Sequence, residues 1–308
     1  MKPDRISVFA ITLNWNSYDS VVQCVGSLKK SAFPVRGIII VDNGSKDGSG
    51  EQLSRKYKRD RSVVVVRNDS NEGFSRAVNK GMDLAIRDNA THIFLLNNDA
   101  IVDAKCLGFL IHTMRSDTVV GASSPTVFYQ RYPTRIWHGS GYFSYVRANV
   151  VVPNKDKILT GKPGEPMDVT FLSGCVLLLK TAMLKDIGLL DEDFFFYGED
   201  VEFSLRAIRK GYKLLYVPRA FAWHEIDDIS TSRSSPYVMY HRARSSTILF
   251  RKSFPRIYAI YAAMLHLFVY TPYRIWQCRN AQKPYESFSA WIRGTIDGLL
   301  FRSRNWVG

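Results

Sequence analysis

Three clusters of side chains in this sequence could do chemistry, and each follows an apolar run. The first is Asn97-Asn98-Asp99, reached directly from Ile93-Phe94-Leu95-Leu96. A carboxylate at the end of a buried strand can hold a divalent cation, although the same residue types also make turns. The second is Asp191-Glu192-Asp193-Phe194-Phe195-Phe196-Tyr197-Gly198-Glu199-Asp200, five acids and four aromatics around one glycine. The helical pattern Val201, Leu205, Ile208 takes over at its end, so Glu199 and Asp200 stand at a helix start, where acids also serve as caps and complement the dipole. The third is Phe221-Ala222-Trp223-His224, an apolar segment ending in a histidine that serves either packing or ligation.

The elements that must position these clusters alternate. Ser7 to Leu13 reads as a strand, and Val21, Val22, Val25 and Leu28 recur at helical spacing until Phe33-Pro34. Gly37 to Val41 is a second strand, emptying into the loop Asp42-Asn43-Gly44-Ser45-Lys46-Asp47-Gly48. Val63 to Val66 is a third, followed by Asn71-Glu72-Gly73-Phe74 and a helix carrying Ala77, Val78, Met82, Leu84 and Ala85. Ile93 to Leu96 is the fourth. Strand and helix in this alternation predict βαβ units, an α/β fold with a mostly parallel central sheet. The ends of three strands, carrying Asn14 and Asn16, Asp42 and Asn43, and Asn97 to Asp99, then meet along one edge, where open α/β sheets bind ligands. That edge suits a nucleotide: an acid or amide can accept from a base N–H, and a strand-end aspartate can hold a cation against a diphosphate. Neither G-x-G-x-x-G after the first strand nor G-x-x-x-x-G-K-[ST] anywhere is present, which excludes a dinucleotide fingerprint and a P-loop.

After Asp103 the alternation decays. Val119 to Phe128 and Tyr142 to Val152 read as strands separated by Tyr132-Pro133-Thr134-Arg135, and the chain through Gly161-Lys162-Pro163-Gly164 reads as loop. Phe171 to Leu179 is another buried strand, with Ser173-Gly174 marking a bulge or a close approach to a ligand. Lys213 to Val217 is a strand. Glu225 to Ser235 reads as a loop able to close over a bound substrate.

The net charge of +14 is unevenly placed: residues from His241 onward carry +9, the first 240 only +5. Basic residues interleaved along the strands would point to nucleic acid; here they gather in a tail while the strand ends are acidic or amide, which argues against that partner. The tail also holds the aromatic-rich run Ile257 to Tyr270, flanked by Arg251, Lys252, Arg256, Arg274 and Arg279. The run is short for a bilayer span and reads as a helix lying in the headgroup region of an anionic membrane surface. Cys24, Cys106, Cys175 and Cys278 are scattered, without the spacing of a zinc site or a disulfide framework. With the short apolar opening, they place the protein in the cytoplasm, peripheral on the inner face of the cell membrane.

In this order the elements resemble the family 2 glycosyltransferases, inverting enzymes with a GT-A fold, and look most like the bacterial rhamnosyltransferase branch. The resemblance runs from about Ile6 to about Phe254. It rests on Asn14-Trp15-Asn16, Val41-Asp42-Asn43-Gly44-Ser45, Asn71-Glu72-Gly73-Phe74 with Asn79-Lys80-Gly81, and Leu95-Leu96-Asn97-Asn98-Asp99-Ala100. It continues through Ser173-Gly174-Cys175, Leu189-Leu190-Asp191-Glu192-Asp193-Phe194-Phe195, Tyr197-Gly198-Glu199-Asp200 and Trp223-His224. It implies a GT-A domain over 1–235, with a nucleotide-binding half at 1–103 and an acceptor half at 104–235, and a basic helical region at 236–308. Asp200 matches the catalytic base, with Glu199 supporting it. Asp99, the last position of the D-x-D element, and His224 match ligands of a Mn2+ or Mg2+ ion. Asp42 matches the reader of a pyrimidine base, with Asn14, Asn16, Asn43, Asn71, Asn97 and Asn98 on the donor side. Ser173, Gly174, Asp191 and Asp193 are expected on the acceptor side. The donor implied is a nucleotide-sugar, dTDP-rhamnose first and a UDP-sugar such as a galactofuranose donor second; the acceptor is a saccharide or a lipid-linked sugar. A non-catalytic nucleotide-sugar-binding partner of a membrane assembly is the competing reading. The departure is Asn97-Asn98-Asp99, which keeps one carboxylate of the two in D-x-D.

Overall fold

The computed structural model describes residues 6–225, 235–279, 281 and 283–301. The expected alternation is present at the start: β1 (Val8–Asn14), α1 (Tyr18–Lys29), β2 (Gly37–Asp42), α2 (Ser49–Tyr57), β3 (Val63–Arg67), α3 (Phe74–Arg87), β4 (His92–Leu96). Helix α2 is an addition, because its charged sequence buries only Leu53 and Tyr57 as large apolar residues and so carries little apolar periodicity. Then come β5 (Ala100–Val102), α4 (Cys106–Arg115), β6 (Val120–Tyr129), β7 (Tyr132–His138), β8 (Tyr142–Ser144), β9 (Asn149–Val151), β10 (Met167–Val169), β11 (Val176–Lys180), α5 (Thr181–Ile187), α6 (Glu199–Arg209) and β12 (Lys213–His224). The C-terminal part is helical: α7 (Pro236–Ser253), α8 (Arg256–Leu265), a π-helical segment (His266–Tyr270), α9 (Thr271–Cys278) and α10 (Pro284–Leu299).

Among the described residues the main sheet has the order β10-β12-β6-β11-β4-β1-β2-β3, with β5 beside β12 and β7 beside β6. β3, β2, β1 and β4 run parallel to one another, β11 enters antiparallel between β4 and β6, and β12 lies parallel to β6. The expectation of a mostly parallel α/β sheet is met. Two apolar layers cover the sheet: one face packs α1 and α4 through Val21, Val25, Leu28, Leu107 and Leu110, the other packs α3, α5 and α6 through Val78, Met82, Leu184 and Phe203.

Three local expectations are corrected. Tyr132 to Arg135 does not separate strands but opens β7, whose first four residues lie at the surface and so lack a strand's apolar alternation. Tyr142 to Val152 is two short strands, β8 and β9, folded back on each other. The strand expected from Phe171 is interrupted: Phe171 makes an isolated bridge to Gly141, the chain turns at Gly174-Cys175, and the ladder begins at Val176. The loop expected at 225–235 lies, apart from its two end residues, outside the described residues.

Candidate active site

The donor edge is built by register. Asn14 at the end of β1 faces Asp42 at the end of β2, and Leu96 ends β4 on the other side of β1. Asn14 Nδ2 donates to Asp42 Oδ1 at 2.8 Å, to Ser49 Oγ at 2.9 Å and to Ser45 Oγ at 3.1 Å. Asn16, at φ 52°, sits in the left-handed region that asparagine tolerates, and its Oδ1 accepts from the Lys46 amide at 2.8 Å. Asn43 donates to Asn71 Oδ1 and the Gly73 carbonyl, while its Oδ1 accepts from Asn68 Nδ2 and the Glu72 amide. An asparagine amide offers two donors and two acceptor sites, so Asn43 is saturated. The asparagines expected to line the nucleotide at positions 14, 16, 43 and 71 therefore pin three loops to one another. Asp42 is fully buried; its Oδ2 accepts no hydrogen bond and faces Arg67 Nε at 3.6 Å. The side chains of Asn97 and Asn98 hydrogen-bond to no other described residue.

The pair expected to hold a cation is brought together by a strand too short to read from sequence. β5 pairs antiparallel with β12, with His224 opposite Ala100, the neighbour of Asp99. The Glu225 amide donates to the Asp99 carbonyl at 2.8 Å, and Asp99 Oδ1 lies 2.9 Å from His224 Nε2. Trp137 of β7 packs edge-on against the imidazole, its ring centroid 4.5 Å away. Burial opposes charge on His224, yet Cys175 and Asp99 together hold its pKa well above the ordinary imidazole value. A separation near 3 Å is what two adjacent ligands about 2.1 Å from one octahedral ion require, so the oxygen and nitrogen fit a shared Mn2+ or Mg2+. Among the described residues no set of three or more His, Cys, Asp or Glu side chains gathers as a cage. An ion held there by two protein ligands would leave its other positions to a diphosphate and water.

Asp200 and Glu199 begin α6. The chain reaches them through Tyr197 at φ 65° and Gly198 at φ 87°. A tyrosine in the left-handed region stores on the order of 1–3 kcal/mol of strain, and such residues persist where their surroundings over-determine them. Here Arg242 of α7 lies over the Tyr197 ring, 5.0 Å from its centroid, and Ser245 Oγ donates to the Phe196 carbonyl. His241 stacks on Phe195 at 4.9 Å, and Arg244 donates to the Asp193 carbonyl at 2.8 Å. Helix α7 thus grips the whole loop, a role that no sequence motif announces.

Desolvation raises the pKa of both carboxyls. For Glu199 the Asp200 charge adds to the rise, whereas Asp200 is pulled back by the amides of Gly174, at 3.2 Å, and Val201, at 2.9 Å. The pair is split, with Asp200 the carboxyl that ionises first. Glu199 Oε2 is buried with no hydrogen-bond partner among the described residues. Ser173 and Gly174 lie at this base: Ser173 Oγ accepts from the Cys175 amide, and Gly174 supplies the amide on Asp200. Asp191 and Asp193 both pair with Lys252, and Glu192 pairs with Arg76, so these acids fasten the loop.

Cys175, to which the sequence assigns no role, joins the two halves. It is buried, which raises the thiol pKa; His224 lowers it, and Asp99 and Asp200 both act on it. Its carbonyl accepts from the Asn97 amide at 2.8 Å, two residues before Asp99, and its neighbour Gly174 gives its amide to Asp200, so one buried residue links the pair to the base. An arrangement of this kind can hold a metal-bound diphosphate on one side and deprotonate a hydroxyl on the other.

Curated relatives include poly-beta-1,6-N-acetyl-D-glucosamine synthases: one from Staphylococcus aureus is 25% identical over 214 residues, spanning 68% of this chain and 47% of its own. Another, from Staphylococcus epidermidis, is 23% identical over the same length. The chain thus spans about half the length of the curated relatives it matches. Among solved structures, GalNAc-T7 with UDP, GalNAc and Mn2+ superposes with a TM-score of 0.62 at 17% identity, covering 82% of this chain and 49% of that one. The mannosyltransferase PcManGT from Pyrobaculum calidifontis, with GDP-Man and Mn2+, superposes with a TM-score of 0.56 at 15% identity, covering 97% and 77%. At such identities the likeness is one of fold, the GT-A fold. The profile of Glycosyl transferase family 2 matches residues 7–188, from β1 to the loop before the acidic cluster. That match takes in more than half of the chain, and the chain belongs to this family.

Proposed function

We propose that the protein is an inverting glycosyltransferase that moves a sugar from a nucleoside diphosphate sugar to a hydroxyl of a saccharide or lipid-linked acceptor. The observation that carries this reading is the Asp99–His224 pair at the carboxyl end of β4, with the Cys175 carbonyl on the Asn97 amide and the Gly174 amide on Asp200 linking it to the base. Asp200 takes the proton of the acceptor hydroxyl as that oxygen bonds to the anomeric carbon. The bond from that carbon to the diphosphate breaks, the nucleoside diphosphate leaves with the electron pair, and the configuration inverts. No covalent intermediate is formed, so no nucleophilic side chain is required. Asp99 and His224 would hold a Mn2+ or Mg2+ ion, which when bound supplies positive charge against the leaving diphosphate. Glu199, protonated beside Asp200, keeps a second negative charge away from the base.

The donor base is a pyrimidine in this reading, because Asp42 Oδ2, which accepts no hydrogen bond, can accept from an imide N–H. Rhamnose from dTDP-rhamnose is the first candidate sugar, on the sequence resemblance. N-acetylglucosamine from a UDP donor is the second, favoured by the names of the staphylococcal relatives. The tail is read as seating the enzyme on the inner face of the membrane: no helix among the described residues is long and apolar enough to cross one, while α8 to α10 expose many large apolar side chains.

Titration calorimetry with dTDP, UDP and GDP, with and without Mn2+, tests the reading. Metal-dependent binding of dTDP or UDP, lost in Asp99→Ala and kept in Asp191→Ala, is the expected result. A loss confined to Asp191→Ala would move the cation to the acidic loop, and no nucleotide binding at all would favour a non-catalytic protein.

A further inference from the structure

The outer face of α8 and its continuation has no partner among the described residues. Ile257, Ile260, Met264 and Phe268 recur at helical spacing, and Ile257 and Phe268 are 85% and 67% exposed. The inner face is packed: Ala262 and Leu265 lie against Phe250 and Ala148, and His266 stacks on Trp291. Ala148 belongs to a different part of the chain, the turn between β8 and β9. That turn is tied to the helix by three hydroxyls: Tyr258 donates to the Tyr145 carbonyl at 2.7 Å, Tyr261 to the Val146 carbonyl at 2.5 Å, and Tyr270 to the Arg147 carbonyl at 2.7 Å. The tip itself reads Tyr145-Val146-Arg147, all exposed, Val146 by 78%.

Water would satisfy three carbonyls on an ordinary surface turn without help. Three tyrosines aimed at them make sense where water is scarce, because an unsatisfied backbone group in an apolar layer costs several kcal/mol. An aromatic, an aliphatic and an arginine in succession is also the composition of a segment at a lipid interface. From Pro236 to Tyr285 the sequence has eight lysines and arginines and no acid, which complements an anionic surface.

We propose that the β8–β9 tip enters the headgroup layer of an anionic phospholipid bilayer together with the outer face of α8, so that the protein is seated by two elements rather than by its tail alone. The inference rests on the membrane reading above and adds to it. It also gives the seat a path to the chemistry. Gly141, just before β8, bridges to Phe171, and the Phe143 amide donates to Thr170 Oγ1; the same segment runs on to Gly174, whose amide holds Asp200.

The test uses the full chain and vesicles of phosphatidylcholine with roughly one third phosphatidylglycerol, against vesicles of phosphatidylcholine alone. The four native cysteines are buried, so Val146→Cys accepts an environment-sensitive fluorophore selectively. Its emission should shift to the blue on adding the anionic vesicles. In sedimentation with the vesicles, Val146→Asp and Phe268→Asp should each lower partitioning by about tenfold, with unchanged melting temperatures, while Ile158→Asp, an exposed site away from the tip, should partition as the parent does. If the parent and Val146→Asp bind alike, the dye stays in water and only Phe268→Asp is released, the tip inference is overturned and the membrane reading stands. Binding of the parent to neither vesicle overturns both. A dimer in analytical ultracentrifugation that Phe268→Asp dissociates, with no vesicle binding, assigns the face to a second copy instead.

Discussion

At the scale of single residues the two carboxyls that open α6 do different work because their surroundings differ. Asp200 receives two amides and Glu199 none beyond its own, so Asp200 carries the negative charge. Asp200→Asn keeps the shape and the acceptor oxygen for Gly174 but not the basicity. We expect a ~100- to 10,000-fold fall in kcat with nucleotide affinity and melting temperature unchanged, read from steady-state rates and calorimetry on the same preparation. In the parent enzyme kcat/KM should rise with pH through a limb displaced above the usual carboxylate range. Glu199 offers a stability test. Its folded pKa is raised above its unfolded value, so its contribution is fully present below the ordinary glutamate range and is lost as pH rises through the folded pKa. Glu199→Gln, which cannot ionise, should therefore melt above the parent by a margin that opens as pH climbs past the ordinary glutamate range and levels off once the folded carboxyl ionises. A margin independent of pH would mean that Glu199 is not held protonated by its site.

Between elements, what matters is which residues a pairing brings side by side. The parallel strands and the acidic or amide strand ends are legible in the sequence because a buried strand is a continuous apolar run and its end is abrupt. The Asp99–His224 contact is not legible from spacing, since it depends on β5, three residues long, lying antiparallel to β12. Nor is the helix α7 legible as the clamp of the acidic loop. Its aromatic and basic residues follow the same spacing whether they face lipid, solvent or a neighbouring loop. The same holds for α10, where Gly294 and Gly298 look like helix-weakening residues. In the structure they let α10 lie directly on the backbone of α7, at the carbonyls of Tyr240 and Arg244. A side chain at either would push the helices apart. Gly298→Leu should cost about 1–3 kcal/mol, lowering the melting temperature and loosening the loop that α7 holds; faster proteolysis within 191–198 would register the second effect.

For the molecule as a whole, the question is whether the C-terminal helices are an anchor or part of the enzyme's frame. An anchor could be removed and leave a competent domain. The packing points the other way: Trp291 and Ala290 of α10 are buried with Met239, Tyr240 and Ala243 of α7, and the Tyr240 hydroxyl donates to Asp297 at 2.8 Å inside that contact. Helix α7 in turn holds the loop that presents Glu199 and Asp200. A chain ending at Phe254 would keep α7 but strip it of this cover, exposing Tyr240 and removing Asp297, the acceptor of its hydroxyl. Loss of one large buried aromatic typically costs about 3–5 kcal/mol, so the melting temperature should fall by at least about 5 °C. Activity should fall with it even on a water-soluble acceptor, for which membrane seating is irrelevant. Phe268→Asp separates the two roles, since that side chain is exposed and its loss removes no internal contact of comparable size. It should leave the membrane yet retain the parent's melting temperature and its rate on the soluble acceptor. If the shortened chain instead matches the parent in both, α10 contributes only attachment, and the grip of α7 on the acidic loop stands without it.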